Sequence, residues 1–255
     1  MLRLQSGLNR LTGKTALVVG ASRGLGRGIA EAFLSEGATV VALARNPSAL
    51  AELASHNPRL HLEAGDASDP VVAGMLLERH HPDVLALVAG ATPLLRPLHH
   101  HTWETFSANW STDVRMAFHW LREALLLPLR PGSRIIVMSS GAAINGSPLS
   151  GGYAGAKATQ RFMAEYAAQE SRRAGLGITV TAVLPKLTPA TELGRPAVEA
   201  YAARSGVTEE VFRAQLGEPV TPQIAGTAYV QLATGGPDAD AAAYALTADG
   251  LQPLR

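Results

Sequence analysis

The sequence contains no cysteine, and this absence excludes both disulfide bonds and thiolate metal sites. Any redox chemistry must therefore rely on a bound cofactor. The chain also lacks an excess of charge of either sign, since 22 basic residues face 21 acidic ones and the formal net charge is +1. Because it has neither a basic run nor a stripe of interleaved aromatic residues, we do not expect a nucleic-acid partner.

Long hydrophobic runs are missing as well. No stretch approaches the roughly 20 apolar residues that a membrane span needs, and the first fourteen residues lack the uninterrupted apolar segment of a signal peptide. We therefore expect a cytoplasmic protein without a membrane partner. The 255 residues, 47% of them hydrophobic, are enough for one large core, so we expect a single domain over residues 1–255.

Short apolar runs rich in β-branched residues alternate with helix-like segments along the chain. This alternation predicts an α/β fold, a single Rossmann-like doubly wound domain with a seven-stranded, mostly parallel sheet and helices on both faces. The strands are expected at Thr15–Val19, Thr39–Ala44, Leu60–Glu63, Val84–Ala89, Arg134–Met138, Ile178–Val183 and Tyr244–Thr247.

The spacing of apolar residues by three and four predicts the longer helices. They are expected at Gly24–Ser35, Trp103–Leu127 and Tyr153–Arg173. Prolines divide the segment 186–226, which leaves two short helical pieces at Ala197–Arg204 and Glu209–Gln215. We interpret 186–226 as a lid-like helical insertion over a pocket rather than as a second domain.

A glycine-rich loop follows the first predicted strand. Gly20, Gly24 and Gly26 allow the backbone to turn sharply, to approach a pyrophosphate closely and to pack the next helix against the sheet. Amide groups at the start of that helix would then face the phosphate. The same glycines would also suit a tight strand-to-helix turn that binds nothing.

Two arginines near this loop favour NADP over NAD. Arg23 lies inside the loop and Arg45 just after the second strand, where guanidinium groups could hold an adenosine 2′-phosphate. Ala44 supplies no carboxylate for a free 2′-hydroxyl, although both arginines could simply be solvated. Asp66, after the third strand, is a candidate partner of the adenine amino group, or else the cap of the helix that begins near Asp69.

An acid–base pair is predicted further along the chain. Tyr153 and Lys157 are four residues apart, so on a helix they share one face. An ammonium group at that distance stabilises a phenolate, which makes the tyrosine a usable proton donor near neutrality. Ser140 precedes Tyr153 by thirteen residues and follows a predicted strand.

Together these residues resemble the short-chain dehydrogenase/reductase family, and the chain looks like a divergent member of it. The family pattern is a TGxxxGxG loop, an Asn-Asn-Ala-Gly strand end and a Ser, Tyr, Lys active site, and the resemblance covers nearly the whole chain. It implies that Ser140 holds the substrate oxygen, that Tyr153 exchanges its proton, and that Lys157 supports the tyrosine and binds the nicotinamide ribose. It also implies a homo-oligomer, a tetramer or dimer, built on the two long helices.

The same resemblance implies a set of cofactor contacts from loops at one edge of the sheet. Gly90 and Pro185 match family positions that line the cofactor cleft, and Thr188 is a further candidate of our own. The complete predicted set is Gly20, Ser22, Arg23, Gly24, Leu25, Gly26, Arg45, Asp66, Gly90, Tyr153, Lys157, Pro185 and Thr188.

The chain departs from the family pattern in four places. Val19 replaces the threonine of the glycine motif, and Leu87–Gly90 stands where Asn-Asn-Ala-Gly is usual. Ungapped counting puts Trp110 at the family's fourth catalytic position, an asparagine that relays protons through water. Asn109 is one residue earlier and is our candidate if a backbone irregularity turns it inward. Lys186 stands where the family usually has glycine.

Five histidines invite a metal hypothesis, which we reject. His80 and His81, and likewise the run His99, His100 and His101, are adjacent in sequence. Neighbouring residues cannot all point at one ion without distorting the backbone, and no pair at helical spacing has a carboxylate nearby. We expect no metal site.

The leading hypothesis is an NADP-dependent oxidoreductase that transfers a hydride between nicotinamide and a small carbonyl or alcohol. The main alternative is a protein of the same fold that binds the cofactor as a sensor or scaffold and has lost efficient catalysis. The departures from the family pattern motivate that alternative. A reductase that works only inside a multi-enzyme pathway is a third possibility that the sequence leaves open.

Overall fold

The structure, a computed structural model, describes residues 9–235 and 241–254. Eight strands within these residues form one sheet: β1 (Thr15–Val19), β2 (Thr39–Ala44), β3 (Leu60–Ala64), β4 (Val84–Leu87), β5 (Arg134–Met138), β6 (Thr179–Pro185), β7 (Ala243–Thr247) and β8 (Gly250–Leu254). Their order is β3-β2-β1-β4-β5-β6-β7-β8. Strands β1 to β7 are parallel and β8 is antiparallel to β7. The doubly wound α/β architecture predicted from the sequence is therefore confirmed.

We predicted seven strands and the sheet has eight, because the sequence of β8 lacks the apolar, β-branched pattern of a strand. This strand has no β-branched residue and contains Pro253, which cannot donate a hydrogen bond to a neighbouring strand. Proline is tolerated here because β8 lies at the edge of the sheet, with Pro253 opposite Tyr244. Gly250, at a φ of +103°, closes the tight turn from β7.

Ten α-helices accompany the sheet in the described part of the chain. They are α1 (Gly24–Ser35), α2 (Ala51–Ser55), α3 (Pro70–His80), α4 (Trp103–Asn109), α5 (Arg115–Leu126), α6 (Ala142–Asn145), α7 (Gly151–Arg173), α8 (Gly194–Ser205), α9 (Glu209–Leu216) and α10 (Pro222–Ala233). None of the helices described is both long enough and apolar enough to cross a membrane.

The sheet is covered on both faces, which explains why its strands are almost continuously apolar. Alternate residues of β1 enter different cores: Ala16 and Val18 pack with α1 and α10, whereas Leu17 and Val19 pack with α3, α5 and α7. Side chains of a strand point alternately to its two faces, so each core receives every second residue.

The helix predicted over Trp103–Leu127 is interrupted. A π-helical turn, Trp110–Val114, separates α4 from α5. Such a turn inserts one extra residue and rotates the helix faces that follow. Asn109, just before the turn, and Asp113, within it, are buried, 3% and 1% exposed, while Trp110 is 42% exposed.

The two short helices predicted within 186–226 are present as α8 and α9. Tyr201 of α8 stacks on Phe212 of α9, with ring centroids 6.3 Å apart. The Tyr201 hydroxyl also bonds to the hydroxyls of Ser147 and Ser150, in the loop before α7. The last residues of the 186–226 segment already belong to α10, which packs on α1.

Candidate active site

Loops that carry the predicted site residues meet at the carboxyl edge of the sheet. The strand order changes direction at β1. The chain adds β2 and β3 on one side of β1 and then crosses over to add β4 on the other side. In open α/β sheets the crevice at such a switch point is the usual ligand site. Gly20 follows β1, Ser140 follows β5, and Pro185 ends β6.

The glycine loop is built for close backbone approach. Gly20 has a φ of +96°, and a Cβ added there would lie 2.6 Å from the backbone nitrogen of Ala89. A Cβ at Gly26 would collide with the carbonyl oxygen of Gly20. Both positions therefore require glycine, and the other predicted contacts in this loop, Ser22, Gly24 and Leu25, are partly buried beside them.

The first turn of α1 leaves its amide groups available to a ligand. Its N-cap residue is Arg23, which makes no side-chain capping hydrogen bond within the described structure. The first amides of a helix have no intrahelical acceptor and attract anions. The cradle formed by Gly20, Gly26 and this uncapped turn fits the pyrophosphate of a dinucleotide.

Backbone hydrogen bonds fix the glycine loop of this chain, which has neither the threonine nor the two asparagines of the family pattern. The amides of Val88 and Ala89 both donate to the carbonyl oxygen of Val19, at 2.9 and 2.8 Å. The amide of Gly20 donates to the carbonyl oxygen of Leu43 at 2.9 Å. The loop after β1 is thus fixed to β4 and β2 without those side chains.

Arg23 and Arg45 are at the rim of this edge. The Arg23 guanidinium donates to Glu192 at 2.6 Å, and the two side chains are 64% and 67% exposed. A pair exposed to this degree contributes little stability, so the guanidinium can exchange Glu192 for a phosphate at small cost. Arg45 is exposed just after β2.

One of our two interpretations made Asp66 the cap of the helix that follows it, and this interpretation was wrong. That cap is Asp69, whose carboxylate accepts from the Val71 amide at 2.8 Å. Asp66 instead accepts from the amide and hydroxyl of Ser68, both at 2.9 Å. These bonds, together with the charge of Arg45, lower the pKa of the Asp66 carboxyl. Its contact with adenine remains a prediction.

The predicted acid–base residues are held together by α7 and β5. The Lys157 ammonium nitrogen is 5.5 Å from the centroid of the Tyr153 ring. The Ser139 hydroxyl donates to the carbonyl oxygen of Lys157 at 2.7 Å, which fastens the helix to the end of the strand. The neighbouring Ser140 hydroxyl accepts from the Ala142 amide at 3.2 Å and keeps its own proton to donate.

Lys157 is only 4% exposed, and its ammonium group has several partners. It is 3.1 Å from Asp113 Oδ2 and donates to Gln160 Oε1 at 2.8 Å and to the Met138 carbonyl at 3.5 Å. Burial alone would lower the pKa of Lys157, but the charges of Asp113 and Tyr153 and the hydrogen bond to Asp113 outweigh it, so the pKa is raised. The side chain is therefore an ammonium ion at neutral pH.

Asn109, rather than Trp110, points inward. Its side-chain nitrogen donates to the Ala91 carbonyl at 2.8 Å and lies 3.5 Å from Asp113 Oδ2. The Trp110 indole instead lies over Gly155, where an added Cβ would be 3.5 Å from the ring. The backbone irregularity that we required is the π-helical turn. A proton-relay role for Asn109 remains a prediction.

Asp113 is the site residue that we missed from the sequence. An unbroken 3.6-residue period places Trp110 and Val114 on the inner face and leaves Asp113 outside. Asn109 and Asp113 are polar residues one helical turn apart, but the same helix carries many other polar residues, so the pair does not stand out in the sequence. Polar residues at that spacing share a face and are able to form a buried network.

The remaining predicted cofactor contacts lie at the same edge. Pro185 is buried, and its carbonyl accepts from the Gly141 amide at 2.9 Å. The Thr188 hydroxyl donates to the Val220 carbonyl at 2.8 Å. Lys186 turns away and donates to the carbonyl of Leu216, at the end of α9, at 2.6 Å.

Gly90 packs against the Asp113 carboxylate. A Cβ at Gly90 would lie 2.9 Å from Asp113 Oδ2, so a larger residue would displace that carboxylate. Contact between Gly90 and the cofactor stays a prediction.

The chain is similar to known oxidoreductases. A family profile described as short chain dehydrogenase matches residues 14–202. A hydroxynaphthalene reductase-like protein of Metarhizium robertsii is 34% identical over 187 residues, which are 69% of this chain and 68% of the relative. An NADPH-dependent aldehyde reductase of Arabidopsis thaliana, named as chloroplastic, is 31% identical over 198 residues, 69% of this chain and 72% of the relative.

Solved structures share the fold. A short chain dehydrogenase from Burkholderia cenocepacia, in complex with NADP, superposes with a TM-score of 0.74 at 24% identity and covers 91% of this chain and 94% of that one. A short chain dehydrogenase from Mycobacterium avium has a TM-score of 0.65 at 26% identity, over 71% of each chain.

Proposed function

Because the chain belongs to the short-chain dehydrogenase/reductase family and is an NAD(P)-dependent oxidoreductase, we propose that NADP is its cofactor, that a small carbonyl or alcohol is its substrate, and that Tyr153 is its general acid and base. The observation that carries this proposal is the buried Lys157 ammonium, 5.5 Å from the Tyr153 ring. A fixed positive charge at that distance stabilises the phenolate that proton transfer leaves behind.

The chain's own residues fit the cofactor. The cradle of Gly20 and Gly26, which any Cβ would fill, and the uncapped first turn of α1 would hold the pyrophosphate. Gly90, Pro185 and Thr188 would line the side nearer the reacting ring. Hydride transfer to or from carbon is the chemistry that nicotinamide supplies when bound.

In the reductive direction the protein's part is proton transfer. As the carbonyl carbon gains its hydride, the O–H bond of Tyr153 breaks and its proton passes to the carbonyl oxygen. The Ser140 hydroxyl donates a hydrogen bond to that oxygen while negative charge develops on it. Lys157 stabilises the phenolate, and Asn109 would connect the site to solvent through water. Oxidation of an alcohol follows the reverse sequence.

Arg23 and Arg45 support NADP over NAD. Both lie at the rim where a 2′-phosphate would be, and no carboxylate follows β2 to bind a free ribose hydroxyl. The relative named as an NADPH-dependent aldehyde reductase also favours this cofactor.

We expect Arg45→Glu to lower the preference for NADPH over NADH by about tenfold or more, since it replaces a phosphate-binding cation by an anion. The ratio of dissociation constants, from quenching or enhancement of nicotinamide fluorescence, measures this. Arg59→Glu is the matched control, because Arg59 is also exposed but precedes β3 at the opposite edge of the sheet. An unchanged ratio in the Arg45 variant would remove this residue from the cofactor site.

The substrate is proposed to be small and partly apolar. A cavity of about 340 Å³ beside the start of α7 is lined by Leu98, Phe106 and Pro148 together with Arg96 and His101. Apolar walls with few polar groups are usual for sites that bind small organic molecules. The printed names of the relatives point to aldehydes and hydroxynaphthalene-like ring systems as the carbonyl compounds to test first.

A homo-oligomer, tetramer or dimer, is proposed on the face of α5 and α7. Phe118, Phe162 and Tyr166 are 50%, 63% and 55% exposed, and the rings of Phe162 and Tyr166 lie 6.0 Å apart. Large apolar side chains grouped on an outer face mark interaction surfaces.

Phe162→Glu should therefore reduce the molar mass in solution, measured by light scattering after size-exclusion chromatography, because it buries a charge in the proposed interface. Val71→Glu, on α3, is the control, since Val71 is 71% exposed and outside that face. A wild-type chain that is monomeric at micromolar concentration would contradict the proposed oligomer.

We also propose that the protein works in the cytoplasm. Cell fractionation with an antibody against the full chain would test this location.

One observation supports the alternative of a sensor or scaffold that binds the cofactor without turnover. The Lys157 ammonium is already paired with the Asp113 carboxylate, so less of its charge acts on Tyr153. This alternative predicts tight cofactor binding and no consumption of NADPH with any carbonyl compound.

A further inference from the structure

Asp113 is a fully buried carboxylate with a complete set of partners. Its Oδ1 accepts from the Ala91 amide at 2.8 Å and from the Thr112 hydroxyl at 2.9 Å. Its Oδ2 is 3.1 Å from the ammonium nitrogen of Lys157 and 3.5 Å from the side-chain nitrogen of Asn109. A carboxylate buried to this degree requires compensation by charge and hydrogen bonds, and here Lys157 supplies the charge.

Both the side chain and the backbone of Asp113 bond to α7, the helix that carries Tyr153 and Lys157. Its side chain binds Lys157, and its backbone carbonyl accepts from Gln160 Nε2 at 2.9 Å. Gln160 also accepts from the Lys157 ammonium at 2.8 Å. The π-helical turn places Asp113 at this point. The position of the turn and the direction of the Lys157 side chain are therefore coupled.

The charges around the lysine are few. Among the described residues, the titratable groups that act on Lys157 are Asp113, from the π-helical turn, and Tyr153, from α7 itself. Strand β5 contributes only the carbonyl of Met138, and Gln160 contributes an uncharged amide. Asp113 and Lys157 therefore form a buried pair of zero net charge directly beside the phenol.

We propose that Asp113 is a positioning residue that holds the Lys157 ammonium in place and sets the pH at which Tyr153 loses its proton. The inference rests on the proposed role of Tyr153 as proton donor. The carboxylate is 3.1 Å from the same ammonium that lies 5.5 Å from the Tyr153 ring, so it opposes the formation of a second negative charge on the phenol. We therefore expect the protonated phenol, which carbonyl reduction needs, to persist to higher pH than it would beside an unpaired ammonium.

Asp113→Asn tests the proposal with little change in shape. The asparagine oxygen still accepts from the Ala91 amide, while Lys157 keeps Gln160 and the Met138 carbonyl as acceptors. The negative charge is removed, and the group that faces Lys157 and Asn109 changes from an acceptor to an amide donor. The phenolate absorbance of Tyr153, obtained as the difference between each protein and its Tyr153→Phe version, should then rise at a pH about one unit lower. The chain has five tyrosines, so the contribution of one is measurable.

The pH profile of carbonyl reduction gives a second readout. Its alkaline limb, where the proton donor is lost, should move to lower pH by a similar amount in Asp113→Asn. Thr112→Val is the matched control, because it removes a hydrogen bond to the same carboxylate but leaves the charge. We expect that variant to keep the wild-type phenolate midpoint and pH profile. A midpoint in Asp113→Asn that is unchanged or moves upward overturns the proposal.

The titration separates this proposal from the proposed function. It needs neither cofactor nor substrate, so it gives a result even if no carbonyl compound is reduced. Turnover with an unshifted midpoint would keep the oxidoreductase and discard the role of Asp113.

One measurement on the intact wild-type protein covers the case in which Asp113→Asn does not fold. With lysine labelled with ¹³C at the ε carbon, the resonances of Lys14, Lys157 and Lys186 can be followed against pH. The proposal expects Lys157 to stay protonated beyond the ordinary lysine value of 10.5, because its pKa is raised by the Asp113 charge. Loss of its proton below that value would contradict the buried pair.

Discussion

Replacing Tyr153 by phenylalanine is expected to lower the turnover of carbonyl substrates by about 10²–10⁴-fold, which is the usual contribution of a general acid. The substitution removes only the hydroxyl, and the partly buried ring can stay beside Lys157. The glycine cradle is untouched, so the dissociation constant of NADPH should change little.

Tyr229→Phe is the matched control for this experiment. It makes the same chemical change in α10, where the Tyr229 hydroxyl is buried and has no hydrogen-bond partner among the described residues. Burial raises the pKa of that phenol, so it stays neutral and takes no part in proton exchange. Full activity in the Tyr153 variant, or an equal loss in the Tyr229 variant, would contradict the assignment of the proton donor.

Gly20→Ala is expected to destabilise the fold and abolish cofactor binding. The residue has a φ of +96°, and its new Cβ would lie 2.6 Å from the backbone of Ala89. The positive φ alone costs roughly 1–2 kcal/mol for a residue with a side chain. The backbone collision adds about 1–3 kcal/mol, since β1 and β4 must separate.

Gly132→Ala isolates the collision from the backbone strain. Gly132 has a φ of +90°, but nothing lies within 4 Å of a Cβ built there. The difference in unfolding free energy between the two variants, from urea denaturation, therefore measures the close approach of Gly20 to Ala89. Equal destabilisation, with NADPH binding preserved in Gly20→Ala, would show that the glycine cradle is not needed.

The features that were predictable from the sequence depend on local rules. Parallel strands covered on both faces read as continuous apolar runs, so the bounds of β1, β2 and β5 and of α1 follow directly from the sequence. The pairing of Tyr153 with Lys157 needs only the four-residue spacing of a helix. The glycine cradle needs only its place between a strand and a helix.

The features that were not predictable depend on tertiary contacts. The edge strand β8 contains a proline and forms only because β7 offers it a partner. The amino-acid composition of the π-helical turn does not distinguish it from a regular helix. At this turn Asn109 and Asp113, rather than Trp110, face inward. The ion pair of Asp113 and Lys157 depends on this arrangement, so the periodicity of the sequence could not reveal it.

We propose that this chain uses Tyr153 and a bound nicotinamide to reduce a carbonyl group. The most direct test follows the near-ultraviolet absorbance of NADPH while the wild-type protein is incubated with a panel of aldehydes, ketones and hydroxynaphthalene-type ketones, with NADH in parallel. We expect consumption of NADPH with at least one compound, in step with formation of the alcohol. NADPH that binds tightly but is consumed with none of them would contradict it.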